Sequence, residues 1–246
     1  MPALTTTARN HLPAWKRSID LACCLLAQPF LALLTLVMTI VMKLVAPGPV
    51  FFRQERIGCM GRRFRIYKFR TMYVGADTHG HQSYFKELIG TNAPMVRLDA
   101  RGDSRLIPGS WFLRASGLDE LPQVINVLLG EMSVVGPRPC IPTEYAAYLP
   151  WQRQRCEPMP GLTGLWQVSG KNRTTFEEMV RLDISYAERK SWWLDTKIIL
   201  LTVPALISQI HDTRIGRKST APTEHTIPPF SMNKARLKTS ESPTLP

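Results

Sequence analysis

The sequence predicts an α+β fold: an N-terminal re-entrant membrane helix, a small β-hairpin, and several surrounding helices, some of them interfacial and amphipathic. Three observations carry this expectation. Residues Leu21 to Met42 form an apolar run interrupted by Gln28-Pro29. Two alternating segments, Val50 to Arg56 and Phe64 to Arg70, flank a turn at Cys59-Met60-Gly61. Later segments repeat apolar residues at helical spacing.

Taken in order, residues 1–14 read as a flexible arm and 15–45 as the membrane helix. At about 1.5 Å per residue the apolar run is about 33 Å long, enough to cross a bilayer. Gln28-Pro29 is expected to kink it. Both flanks are basic, with Lys16 and Arg17 before the run and Lys43, Arg53 and Arg56 after it. A spanning helix would put one basic flank outside, against the positive-inside bias. A helix that dips in and returns keeps both flanks on one face. The run is too long for a signal peptide, and no small-x-small cleavage site follows it. Ala46-Pro47-Gly48-Pro49 ends the helix, and residues 46–211 follow as a cytosolic domain.

Strand alternation places Ile66, Lys68 and Arg70 on one face of the hairpin and Arg65, Tyr67 and Phe69 on the other. Lys68 and Arg70 are phosphate candidates; Arg65 suits a solvated face. Tyr73 to about Ile89 is expected to be helical. His79-Gly80-His81 lacks a Cys or carboxylate partner at metal-ligand spacing, so a solvated loop is expected there. Leu121, Val124, Ile125 and Leu128 give a helix that stops at Gly130. Pro122 suits its first turn. Asp119 and Glu120 then sit at the positive end of the helix dipole, which favours their ionised forms. An ordinary acidic cap is the plain reading of such a pair. Arg114 before it and the rigid Gly136-Pro137-Arg138-Pro139 turn after it suit a phosphate-and-metal site better.

Thr175-Phe176-Glu177-Glu178 matches a capping box opening a helix to about Arg189. Ser191-Trp192-Trp193 begins another, mostly apolar, helix through Ile210. Its tryptophans suit a membrane interface, and core packing explains them nearly as well. From Asp212 the chain reads as a disordered basic tail, residues 212–246.

Composition narrows the partners. Lys and Arg number 31 against 19 Asp and Glu, a formal charge of +12. That excess predicts an anionic partner: nucleic acid, acidic lipid head groups or a phosphorylated substrate. Cys23, Cys24, Cys59, Cys140 and Cys156 show no framework or metal spacing and read as reduced thiols. Gly164 to Lys171 is not a P-loop, because the glycine spacing is one residue too long and Asn172 replaces Ser or Thr.

Several motifs, in this order and spacing, carry a resemblance. They are Lys16-Arg17, Gly48-Pro49-Val50-Phe51-Phe52, Gln54-Glu55-Arg56-Ile57-Gly58 and Tyr67-Lys68-Phe69-Arg70-Thr71-Met72. Phe112-Leu113-Arg114, Leu118-Asp119-Glu120-Leu121-Pro122-Gln123 and Gly136-Pro137-Arg138-Pro139 follow. Pro160-Gly161-Leu162-Thr163-Gly164 and Trp193-Leu194-Asp195 complete the set. Together they resemble the bacterial sugar transferases, the monotopic phosphoglycosyl transferases, over roughly Lys16 to Ile210. The likeness is to short forms that start exopolysaccharide repeat units with a hexose-1-phosphate. Gly117 departs from the common Ser or Thr, and Ile107-Pro108-Gly109 from a Thr-x-x-Gly run. Lys171 stands where Arg is common; it offers a phosphate a point charge and not a fork.

The resemblance implies transfer of a sugar-1-phosphate from a nucleotide sugar, expected to be a UDP-sugar, to undecaprenyl phosphate at the bacterial inner membrane. The catalytic domain would lie on the cytoplasmic face, where downstream glycosyltransferases could take the product. Asp119 would be the nucleophile, forming an acyl-phosphate intermediate. Glu120 would hold Mg²⁺, with Asp119, or assist proton handling of the acceptor. Lys68, Arg70, Arg114, Arg138 and Lys171 would bind the phosphates. Charge alone also permits a membrane-anchored nucleic-acid-binding protein, but no reading motif is present. An inactive assembly scaffold is a third reading, against which the intact carboxylate pair argues.

Overall fold

The computed structural model describes residues 12–76, 105–170 and 174–215, with the side chains of 211–215 excepted. Most of the expected arm, the His79-Gly80-His81 segment, Lys171 and the tail from residue 216 lie outside the described residues.

The first helix, α1, spans Ala14–Val45, 32 residues, which is about 48 Å at 1.5 Å per residue. Pro29 lies inside it and does not end it. Its ring removes one backbone donor, so the local ladder is short of one bond. The helix is sorted by face. Lys16, Asp20, Cys24, Leu31, Met38 and Met42 are buried, and their spacings of four and seven form one stripe. Leu25, Leu26, Phe30, Leu33, Leu36 and Leu44 are exposed on the rest of the surface. This helix and the last one are long and apolar enough to cross a membrane.

The N-terminal end of the stripe is polar, and it is bonded to elements far along the chain. Lys16 Nζ donates to Asp195 Oδ2 at 2.5 Å, to Tyr186 OH at 2.9 Å and to the Val135 carbonyl at 2.9 Å. Asp20 Oδ1 accepts from Ser133 Oγ and from the Val134 N–H. Arg17 donates to the carbonyls of Val127 and Leu128. These are among the last carbonyls of a later helix, which have no intrahelical partner of their own. The Lys16-Arg17 pair is therefore a pair of structural ties. It is not the solvated basic flank that the positive-inside argument assumed.

Strands β1 (Phe51–Ile57) and β2 (Arg63–Phe69) form the expected antiparallel hairpin, each shifted by one residue from the predicted bounds. The turn between them is a 3-10 segment, Cys59–Gly61, with Met60 at a positive φ of 53°. Tyr73 to Ala76 are not helical, and the rest of the helix expected to Ile89 lies outside the described residues. The Tyr73 N–H bonds to the Arg105 carbonyl at 2.9 Å, and Met72 bridges Leu106. Helix α2 (Ser110–Ser116) ends at Gly117, whose left-handed φ of 73° starts the 3-10 turn Leu118–Gln123. Helix α3 (Val124–Leu129) continues from it and stops at Gly130, also left-handed.

Strand β3 (Ser133–Val135) runs parallel to β4 (Gly161–Thr163). Neither was expected from the sequence. The chains approach so closely beyond β3 that a Cβ on Gly136, Gly161 or Gly164 would fall on neighbouring backbone. Replacing Gly161 by Ala is expected to cost at least about 1–3 kcal/mol, the range of overpacking changes, read as a lower melting temperature. Short helices α4 (Pro142–Ala147), α5 (Pro150–Arg153) and α6 (Leu165–Val168) fill the intervening chain. The long helices follow as expected. Helix α7 (Phe176–Arg189) opens on the Thr175–Glu178 capping box, and α8 (Trp192–Ile215) carries exposed Trp192 and Trp193.

One core joins α1, the hairpin and α3 through Cys24, Met42, Ile66, Phe69, Val124 and Val127. A second packs Ile57, Cys140, Tyr148, Trp166 and Phe176. Among the described residues no cysteine is in a disulfide.

Candidate active site

The site is built by docking the hairpin onto the turn that carries the acidic pair. Asn126, fully buried on α3, makes the join. Its Oδ1 accepts the Tyr67 N–H at 3.1 Å, and its Nδ2 donates to the Arg65 carbonyl at 2.8 Å. A single side-chain amide thus serves two backbone groups on either side of Ile66, as a neighbouring strand would. Lys68, two residues further along β2, is brought to Glu120: Nζ lies 2.7 Å from Oε1.

Arg138 approaches the same carboxylate from the opposite direction in sequence. Its Nη2 is 2.7 Å from Glu120 Oε1 and its Nη1 is 3.1 Å from Oε2, a two-pronged contact. Two braces hold the turn that presents it. Arg155 Nη2 donates to the Arg138 carbonyl at 3.2 Å, and Arg155 is itself paired with buried Asp183 at 2.6 Å. Arg56 Nη1 donates to the next carbonyl, that of Pro139, at 3.1 Å.

Electrostatics follow from this packing. Burial alone would raise the Glu120 carboxyl. The charges of Arg138 and Lys68, with the hydrogen bonds from both, outweigh it and hold Glu120 well below the usual carboxylate range. Glu120 raises Arg138 in turn. Lys68 moves down, because burial and the neighbouring Arg138 and Arg56 outweigh attraction by Glu120. Asp119 is buried beside the same group, and its charge acts on both Lys68 and Arg138. Three basic side chains therefore face two adjacent carboxylates. A phosphate entering here meets cations that Glu120 holds in place.

The expected site residues divide in three. Asp119, Glu120, Lys68 and Arg138 are brought together. Arg70 is directed elsewhere: its Nε donates to the Pro49 carbonyl at 2.8 Å and its Nη2 to the Ala46 carbonyl, so it braces the chain leaving α1. Arg114 reaches Thr71 Oγ1 at 3.2 Å. Lys171 lies outside the described residues. The dyad sits within a 3-10 turn that leads directly into α3, as expected, but the charges that hold Glu120 ionised are those of Arg138 and Lys68. Arg56 was not among the expected residues, yet it lines a small pocket with Lys68, Glu120, Gln123, Arg138 and Gly161. Register could have found it. Arg56 pairs with Phe64, Gln54 with Ile66 and Phe52 with Lys68, which puts Arg56 on the face of Lys68.

Among the described residues no group of three or more His, Cys, Asp or Glu could hold a metal. Asp119 and Glu120 remain as a carboxylate pair. That donor set fits Mg²⁺, which keeps several waters and binds through one or two carboxylates plus substrate phosphates.

Residues 11–209 match the family model for bacterial sugar transferases. Galactosyl transferase CpsE of Streptococcus agalactiae is 43% identical over 161 residues, 65% of this chain and 35% of that protein. A UDP-glucose:undecaprenyl-phosphate glucose-1-phosphate transferase of Caulobacter vibrioides is 39% identical over 201 residues, 78% of this chain and 70% of that protein. The undecaprenyl-phosphate galactose phosphotransferase of Salmonella typhimurium is 36% identical over 166 residues, 65% of this chain. The chain spans 35% of the length of the streptococcal relative and 34% of that of the Salmonella one. The family match covers α1, the hairpin, the acidic turn and α7, and so takes in every element that builds the site. The chain belongs to the bacterial sugar transferase family.

Proposed function

We propose that this protein transfers a hexose-1-phosphate, galactose or glucose, from a UDP-sugar to undecaprenyl phosphate. The products are undecaprenyl-diphosphate-sugar and UMP, and the step opens assembly of an exopolysaccharide, capsule or O-antigen repeat unit. The observation that carries this reading is the Glu120 carboxylate gripped by Lys68 and Arg138 with Asp119 beside it. Substrates named for the Caulobacter and Salmonella relatives support it.

In this mechanism a carboxylate oxygen of Asp119 attacks the phosphorus next to the sugar. The bond from that phosphorus to the bridging oxygen breaks, and UMP leaves with the electron pair. An oxygen of undecaprenyl phosphate then attacks the same phosphorus, and the acyl-phosphate bond breaks to restore Asp119. Lys68 and Arg138 offset charge repulsion between two phosphate-bearing reactants. Glu120, held ionised far below neutrality, is a poor proton acceptor there. Holding cations suits it better than proton handling. Mg²⁺, held by Glu120 and Asp119, would supply Lewis-acid stabilisation of phosphate charge.

UMP release from a UDP-hexose that depends on undecaprenyl phosphate tests the reading; no release from any UDP-hexose would reject it. Chelation should abolish turnover and Mg²⁺ restore it. Arg138→Ala and Arg114→Ala should each cost on the order of 1.5–3 kcal/mol of transition-state stabilisation, read from kcat/KM. Normal turnover of either folded variant would count against a phosphate-binding role for that residue.

We also place both ends of α1 on the cytoplasmic side of the inner membrane. The support is that Lys16 near one end bonds to Asp195, and the Ala46 carbonyl past the other end bonds to Arg70. Both partners belong to one folded body, so neither end is free to lie across a bilayer from it. Cysteines engineered at residues 10 and 60 should resist an impermeant thiol reagent applied to intact cells. External labelling at either position would establish a span.

A further inference from the structure

Gln123 has no part in the transfer mechanism, and a role for it rests on that proposed reaction. Gln123 closes the 3-10 turn that begins at Leu118. With three residues per turn, it stands directly over Glu120. Its side chain lines the same pocket, and only 3% of the residue's surface is exposed. Among the described residues its amide has no hydrogen-bond partner, although Asn126, three residues on, uses both ends of its own amide.

The amide opens into that pocket, so water matches it until a ligand enters, and a ligand that displaces this water must reproduce its hydrogen bonds. The nature of the match follows from the amide. It presents two N–H donors and one carbonyl acceptor. A phosphate only accepts, so it would leave the carbonyl oxygen unmatched. Phosphates also have better partners nearby in Lys68, Arg138 and Arg56. A hydroxyl both donates and accepts, and so satisfies both ends of the amide. Position then selects which hydroxyl. Gln123 stands one turn from Glu120 and four residues from the attacking Asp119. With Asp119 as the attacking group it would lie beside the transferred phosphate, whose directly attached sugar is the hexose.

We propose that Gln123 is a specificity residue that hydrogen-bonds a hydroxyl of the transferred hexose. The alternative source of the same chemistry is the ribose, one phosphate further away. Steady-state kinetics of the full chain in lipid nanodiscs, with undecaprenyl phosphate as acceptor, separates them. The donors are UDP-glucose, UDP-galactose, their analogues each lacking one sugar hydroxyl, and the 2′-deoxyuridine and 3′-deoxyuridine forms. Gln123→Leu should lower kcat/KM for the preferred UDP-hexose about tenfold, the worth of one such hydrogen bond at its upper range. For one deoxy-hexose donor the parent enzyme should already show that loss, and the variant should add nothing to it. Gln123→Met, unbranched, serves the same purpose should the Leu variant fail to fold. A loss of equal size on every donor would mean a packing role and overturn the proposal, as would unchanged kinetics. Non-additivity confined to a deoxyribose donor would move the contact to the nucleoside and overturn the sugar assignment. Absence of UMP release by the parent from every UDP-hexose would instead defeat the transfer reaction itself, and this inference with it.

Discussion

Asp119→Asn is expected to give a folded and inactive protein. The substitution removes one negative charge and the attacking oxygen while keeping the shape of the side chain. As a helix-end residue Asn is as good as Asp, so a purely structural role would leave both fold and turnover nearly unchanged. The surroundings argue against that role. The cap position of the acidic turn is Gly117, and no side-chain oxygen caps it. Asp119 lies instead where its charge acts on Lys68 and Arg138. Loss of a nucleophile in a covalent route costs orders of magnitude, as removal of such groups from other covalent enzymes does. Turnover, measured as UMP release, should fall below detection while the melting temperature stays close to the parent's. Ordinary activity would pass the attacking role to Glu120 or to the lipid phosphate itself.

Lys16→Ala is expected to be strongly destabilising. Lys16 and Asp195 are 3% and 1% exposed, so their charges are compensated by one another and not by water. Removing the ammonium leaves Asp195 with the Tyr186 hydroxyl, and takes a donor from the Val135 carbonyl. Breaking a buried pair from one side typically costs about 3–5 kcal/mol. For a chain of this size that is a fall in melting temperature of about 10 °C or more. The second substitution makes the test specific. Asp195→Leu added to Lys16→Met should recover much of the loss, since a buried pair replaced by apolar groups is often neutral. A Lys16→Ala protein that melts with the parent would show that the tie between α1 and α8 contributes nothing.

What the sequence disclosed depended on how local the signal was. The hairpin was visible because alternation over seven residues and a glycine turn are short-range patterns. Helix α7 was visible because Thr175 and Glu178 form their capping box within one turn. Glu120, Lys68 and Arg138 were legible as residue types in a familiar order, but their mutual contacts depend on Asn126, whose partners are 59 and 61 residues away. Strands β3 and β4 have three residues each, too few to show any period, and they pair across a long stretch of chain. Arg70 shared the face of Lys68 by alternation, but lies at the end of the strand where the backbone after α1 presents bare carbonyls. Lys16 and Asp20 were the subtler loss. Four residues apart, they open a stripe that continues through Cys24, a sign that one face of an otherwise apolar helix packs on protein.

In the proposed reaction the sugar phosphate passes through Asp119 on its way to a lipid. A single-turnover experiment with donor labelled in the sugar tests it most directly. Supplied with donor alone, the native protein should gain the mass of one phosphohexose, mapped to the peptide holding Asp119, and release an equal amount of UMP. Undecaprenyl phosphate added afterwards should move that label into the lipid without further UMP. Label that reaches the lipid at the full rate, with none ever found on the protein, would contradict the account.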